Sequence, residues 1–289
     1  MTDAVREWAD RGRYVDTGGG RVFVVDAPAA RDAGNDPLLV LHGFPTCSFD
    51  WRHVVDALSA ERRVVLFDFL GFGLSDKPDV RYSIRGYADT AEAVAADAGL
   101  RSVALLTHDM GDTVGGELLA RGSLDVTRRV LTNGSIYIDM AQLTPGQQLL
   151  LALPDERFPG VGEDAGDPSA GFKAGLGSTF SAGHPASDEE LEAQWQLVRH
   201  HDGNALLPRT IRYIEDRRAE ERRFTGAIEQ HPSPLGVVWG DQDPVAVHAM
   251  TDKLLAARSD ATLITLEGVG HYPMVEAPDR FSEAVLTLL

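Results

Sequence analysis

A chain of 289 residues with 43% hydrophobic content can bury a sizeable core and fits one large domain or a core with an inserted cap. Its formal net charge of −17 argues against nucleic acid or an anionic membrane as a partner, and no apolar run approaches the length of a membrane span. Cys47 is the only cysteine, so no internal disulfide can form; together with the charged start MTDAVREWADRGR, which lacks an apolar h-region, this fits a cytoplasmic protein.

The first half alternates short apolar runs with helical spacing. Arg21-Val22-Phe23-Val24-Val25 follows a Gly18-Gly19-Gly20 turn, and Leu38–Leu41 runs into His42-Gly43-Phe44-Pro45. Val64–Phe67 ends at Asp68, Val103–Leu106 leads to His108-Asp109, and Arg129–Leu131 ends near Asn133. Runs of this kind suit strands buried on both faces. Ile84, Tyr87, Ala88, Ala91, Val94, Ala95 and Ala98 keep helical spacing between them. The alternation predicts an α/β fold: a mostly parallel central sheet with helices on both faces.

The pattern changes at about residue 134. Residues 154–187 are rich in Gly, Pro, Ser and acids, which fits a mobile lid and an unstructured surface loop equally. Ser187-Asp188-Glu189-Glu190 reads as a capping box, opening a helix with Leu191, Trp195 and Val198 on one stripe. Ile211, Tyr213 and Ile214 continue the helical pattern into the charge-rich 215–223. A helical cap over 134–231 therefore interrupts a core made of 1–133 and 232–289. In the second core part, Gly236–Trp239 leads to Gly240-Asp241-Gln242-Asp243-Pro244. Thr262–Leu266 then leads to Gly268-Val269-Gly270-His271.

Leu105–Thr113 carries the chemistry. A buried strand, a tight turn and a helix start place Asp109 at a nucleophile elbow where a serine is usual. A hydroxyl there suits acyl transfer, whereas a carboxylate suits displacement at saturated carbon through an alkyl ester with the enzyme. Asp109, Asp243 and His271 all stand at C-terminal strand ends, where open parallel sheets bind ligands, and in the order nucleophile, acid, histidine. His271 then activates water against the ester, and Asp243 orients the imidazole, with Asp241 as its rival. The backbone N–H groups of Phe44 and Met110 are the expected oxyanion hole. His108 is expected to be structural, since its side chain points away from that of Asp109, and His200-His201 lack partners at metal-ligand spacing.

His42–Pro45, Asp68–Pro78, His108–Asp112 and Gly268–His271 resemble the α/β-hydrolase branch that holds epoxide hydrolases and haloalkane dehalogenases. Asn133-Gly134, His201–Asn204 and Arg212–Arg217 carry a closer resemblance to the mesoderm-specific transcript protein family. The resemblance implies an α/β-hydrolase fold and no metal or organic cofactor. Dehalogenases of this branch commonly hold the halide with a Trp after the nucleophile and an Asn or Trp elsewhere; Met110 and Phe44 occupy those places here. Epoxide hydrolases protonate the opening oxygen with cap tyrosines. Tyr213 stands where the second would be, and Tyr137 is a weaker match for the first. Tyr137 and Trp195 are expected in the substrate pocket. The expected function is hydrolysis of a small or medium apolar epoxide by water. Haloalkane dehalogenation is the enzymatic alternative, and a ligand-binding pseudoenzyme is the non-enzymatic one.

Overall fold

The computed structural model describes residues 1–158 and 167–289. In chain order the first half comprises α1 (Asp3–Asp10), β1 (Arg13–Asp16), β2 (Arg21–Ala27), β3 (Leu38–Leu41), α2 (Val55–Leu58), β4 (Val64–Phe67), α3 (Ile84–Asp97), β5 (Ser102–His108), α4 (Met110–Arg121) and β6 (Asp125–Thr132). Every residue of β3 and β4 is buried, as expected of strands covered on both faces. The Ser83 hydroxyl accepts the Gly86 N–H and starts α3, whose Ile84, Tyr87, Ala88, Ala91, Val94 and Ala95 form the buried face.

The strands form one eight-stranded sheet in the order β1-β2-β4-β3-β5-β6-β7-β8, where β7 is Leu235–Gly240 and β8 is Thr262–Leu266. Pairing is antiparallel for β1–β2 and β2–β4 and parallel for the rest. The α/β reading with a mostly parallel sheet is therefore correct. β1 was not legible: only Val15 of its four residues is buried, so it carries no apolar run. Parallel register sets Leu41 beside Thr107 and His108 beside Thr132, which gathers the C-terminal strand ends along one edge.

Between β6 and β7 the chain forms α5 (Pro145–Ala152), α6 (Pro168–Gly177), α7 (Asp188–Arg199), α8 (Leu207–Thr210), α9 (Tyr213–Ala219) and α10 (Glu221–Gln230). The stretch 154–187 thus contains a helix, α6, started by Asp167 at its N-cap; the part from 159 to 166 lies outside the described residues. Ser187 caps α7 by accepting the Glu190 N–H. The return half of the expected box is missing, because Glu190 pairs with Arg52 instead. A complete capping box is found at Thr144/Gln147 on α5. At the end of this segment, α10 packs on α4 of the core. The core closes with α11 (Ala249–Ala257), α12 (Pro273–Glu276) and α13 (Pro278–Leu288). No described helix is long and apolar enough to cross a membrane.

Candidate active site

Asp109 is the single residue between β5 and α4, and the sharp reversal forces it to φ 52°, ψ −116°. A non-glycine residue at positive φ carries a local cost that the surrounding structure must hold in place. Gly111 permits the close approach: a Cβ there would lie 2.5 Å from the Leu41 carbonyl. Gly43 does the same across the site, since its Cβ would stand 2.8 Å from Asp109 Oδ1.

The two carboxylate oxygens of Asp109 have different surroundings. Oδ1 accepts the Phe44 N–H at 2.8 Å. Oδ2 faces His271 Nε2 at 3.7 Å, beyond hydrogen-bond length. The turn that presents Phe44 is braced by His42. Burial pushes the His42 imidazole down to about 3, so it is neutral at physiological pH. Its Nδ1–H then donates to Gly43 O at 2.8 Å, while Nε2 accepts the Phe69 N–H at 2.9 Å. Met110 is the first residue of α4 and fully buried, and its N–H is one of the donors that a helix leaves without an internal partner.

His271 Nδ1 donates to Asp243 Oδ2 at 2.7 Å. Asp243 is fixed in turn: Oδ1 accepts the N–H groups of Val245 and Ala246 at 2.7 and 3.0 Å, and Oδ2 accepts Asn133 Nδ2 at 2.8 Å. The rival Asp241 instead accepts the Gly268 N–H at the loop surface. Burial disfavours the charged form of His271, but the Asp243 carboxylate, its hydrogen bond and the charge of Asp109 outweigh it and raise the imidazole to about 9. Burial also pushes the Asp112 carboxyl, one helical turn from Asp109, well above the usual range; the Thr107 hydroxyl donates to one of its oxygens, and the other has no partner among the described residues.

Two positioning groups, Asn133 and Glu276, were not read from the sequence, and a third, His108, was read only as structural. Asn133, at φ 47° after β6, also accepts the Gly240 N–H through Oδ1 at 3.0 Å and so ties two strand ends together. Glu276 accepts the N–H groups of Gly270 and Tyr272 at 2.8 and 3.1 Å and shapes the loop on both sides of His271. His108 Nε2–H donates to the His271 carbonyl at 2.8 Å, a specific form of the expected structural role; burial keeps this ring neutral, near 4. Only the elbow context could have flagged His108, and bonds that join residues 110 apart leave no local signal for Asn133.

A cavity of about 530 Å³ opens over the site. From the core it is lined by Phe44, His271 and Tyr272, and from the helical segment by residues that include Leu150, Phe172, Leu176 and Trp195. Among the described lining residues, His271 is the only ionisable group besides the Tyr272 phenol. Trp195 lines the cavity from α7. Tyr213 is not a lining residue of this cavity; it is buried with its ring 5.7 Å from that of Phe44, the residue whose N–H holds Asp109. Burial first, and then the Asp109 charge, push its phenol up. Tyr137 is not brought to the cavity. Its hydroxyl donates to Glu229 on α10 at 2.8 Å and its ring lies under Lys253, because charged partners on that side satisfy the phenol.

The α/β hydrolase family model matches residues 38–284. The chain belongs to the α/β hydrolase family. It is 43% identical to the putative hydrolase LipZ of Mycobacterium tuberculosis, over 99% of this chain and 98% of the relative. It is 31% identical to the mesoderm-specific transcript homolog protein of Homo sapiens, over 99% of this chain and 88% of that protein. An α/β hydrolase fold protein from Burkholderia ambifaria superposes with a TM-score of 0.77 at 21% identity, covering 95% of this chain and 97% of that one. That likeness concerns the fold alone.

Proposed function

We propose that this hydrolase opens neutral, apolar epoxides to diols through an alkyl ester on Asp109. The observation that carries the reading is the division of labour between the two Asp109 oxygens. Oδ1 is held by the Phe44 N–H and becomes the ester carbonyl, already seated where an oxyanion is stabilised. Oδ2 is the free oxygen and attacks carbon. The C–O bond of the epoxide breaks, and its oxygen takes a proton from Tyr213. His271, oriented by Asp243, then takes a proton from water, and the hydroxide attacks Cγ of Asp109. The departing alkoxide receives the His271 proton, and the new Asp109 carboxylic acid returns its proton to the Tyr213 phenolate. Epoxide and water are consumed, and the enzyme is restored.

The lining favours a neutral substrate, since a carboxylate or phosphate would find no lysine or arginine among the described lining residues. At the two positions where a halide would be held, the Met110 thioether and the Phe44 ring offer no N–H, which leaves departing halide without its usual solvation.

The test is a trapped intermediate. His271→Ala spares the first step and blocks the second, so incubation with styrene oxide is expected to add the full mass of the epoxide to the peptide carrying Asp109. Addition of an alkyl group from a bromoalkane, with none from epoxides, would assign dehalogenation. No adduct from either class would remove Asp109 as a nucleophile toward saturated carbon.

A further inference from the structure

Arg217 follows Tyr213 by four residues on α9, so one helical turn brings its guanidinium over the phenol ring, with Cζ 5.6 Å from the ring centroid. The residue is 3% exposed, and its Nε and Nη1 have no hydrogen-bond partner among the described residues. The acids nearest in sequence are engaged elsewhere. Asp216 holds Arg81 and the Ile84 N–H, Glu215 holds Arg212, and Glu220 holds Arg85. A buried cation with unsatisfied donors is costly, and ion pairing does not offset that cost here.

We infer that Arg217 stabilises the phenolate that Tyr213 becomes as it delivers its proton to the opening epoxide oxygen. This rests on the acid role proposed above for Tyr213, and it makes Arg217 a positioning residue that acts through the phenol without touching substrate. As the Asp109 Oδ2–carbon bond forms and the epoxide C–O bond breaks, the oxygen takes the phenolic proton and negative charge spreads into the Tyr213 ring. A cation above a neutral ring is held by the ring quadrupole; above a phenolate it is held by a full charge as well. The contact therefore strengthens between ground state and transition state, which is the condition for accelerating a step. Burial and Asp109 both oppose ionisation of Tyr213, and Arg217 is the neighbour whose charge favours it.

The test is a double-mutant cycle in the His271→Ala enzyme, reading the single-turnover rate of Asp109 alkylation by styrene oxide with rapid quench and mass spectrometry. Arg217→Met is expected to slow alkylation by about tenfold, the order of one desolvated cation–π contact, at an unchanged half-saturating concentration. In the Tyr213→Phe background the same change is expected to cost nothing further. Arg217→Lys, which keeps the charge, is expected to retain most of the rate. If Arg217→Met fails to match the parent circular dichroism, Arg217→Gln takes its place in the cycle. An equal loss in both backgrounds, or a lysine variant as slow as the methionine one, overturns the inference and leaves the Tyr213 assignment standing. An unchanged alkylation rate in Tyr213→Phe alone overturns the acid assignment and the inference with it.

Discussion

At the scale of single residues, the site is a chain of charges that changes sign as the proposed reaction proceeds. In the resting enzyme His271 lies between Asp243 and Asp109, and its raised value, about 9, makes it an imidazolium at neutral pH. A cation cannot take a proton from water. Esterification of Asp109 removes one of the two carboxylate charges that hold the proton on His271, so the imidazole becomes a base only once there is an ester to hydrolyse. The sign follows directly. Hydrolysis needs neutral His271, so its rate rises with pH through the value that His271 has in the alkyl-enzyme, and that value lies below 9 because the Asp109 charge facing its Nε2 has moved away to the Tyr213 phenolate. Stopped-flow decay of the alkyl-enzyme between pH 5 and 10 checks this. A midpoint at or above about 9 would mean that His271 does not respond to the Asp109 charge.

At the scale of elements, α5 stands apart because none of its residues is buried, although it lines the cavity. Leu150 and Leu151 pack partly buried against the core, and polar groups fix its two ends. Thr144 and Gln147 form the capping box at the N-terminus, and buried Arg212 donates to the carbonyls of Leu150, Leu151 and Leu153 at the C-terminus. A cation on the last carbonyls of a helix satisfies orphan acceptors and opposes the helix dipole. Arg212→Met is therefore expected to speed proteolytic cleavage within 145–153 by about tenfold while the central sheet keeps its protection, as measured by limited proteolysis with mass mapping. Unchanged cleavage there would mean that α5 is held by its apolar contacts alone. Elements of this sort are where sequence reading fell short. β3 and β4 were legible to the residue, because a run of apolar side chains buried on both faces is its own signal; the bounds of β8 were matched too, although only Leu266 of its five residues is buried. Asp109, Asp243 and His271 were legible as candidates because each follows a strand end, and their catalytic roles are those proposed above. Edge strand β1, the polar anchoring of α5 and the tie from Asn133 to Asp243 were not, since exposed strands lack a periodic core and long-range polar bonds leave no spacing to read. Tyr137 matched a resemblance, but its hydroxyl is drawn off by Glu229, an acceptor 92 residues away.

At the scale of the whole molecule, the strand ends supply Asp109, Asp243 and His271, and the helical segment supplies the proposed acid Tyr213 and much of the shape of the space above them, so selectivity and stability are separable by mutation away from Tyr213. Gly175 is the position that tests this. It lies near the end of α6, lines the cavity, and has no atom within 4 Å of where a Cβ would stand. Neither φ nor packing demands a glycine there, yet glycine in a helix is less favourable than leucine by about 0.8 kcal/mol. Gly175→Leu should thus raise the melting temperature by about 1–2 °C, which differential scanning calorimetry reads. The same side chain reaches into the empty space and takes room from the far end of a substrate. For 1,2-epoxydodecane kcat/KM is expected to fall by about tenfold, the cost of overfilling a packed site by a few methylenes, whereas 1,2-epoxybutane, which needs only the space near Asp109, should change by less than about twofold. The two effects carry opposite signs, so a general loss of fold cannot imitate them. Equal losses on the long and the short epoxide would show that α6 acts on the chemistry, and no loss on either would show that the substrate does not extend past Gly175.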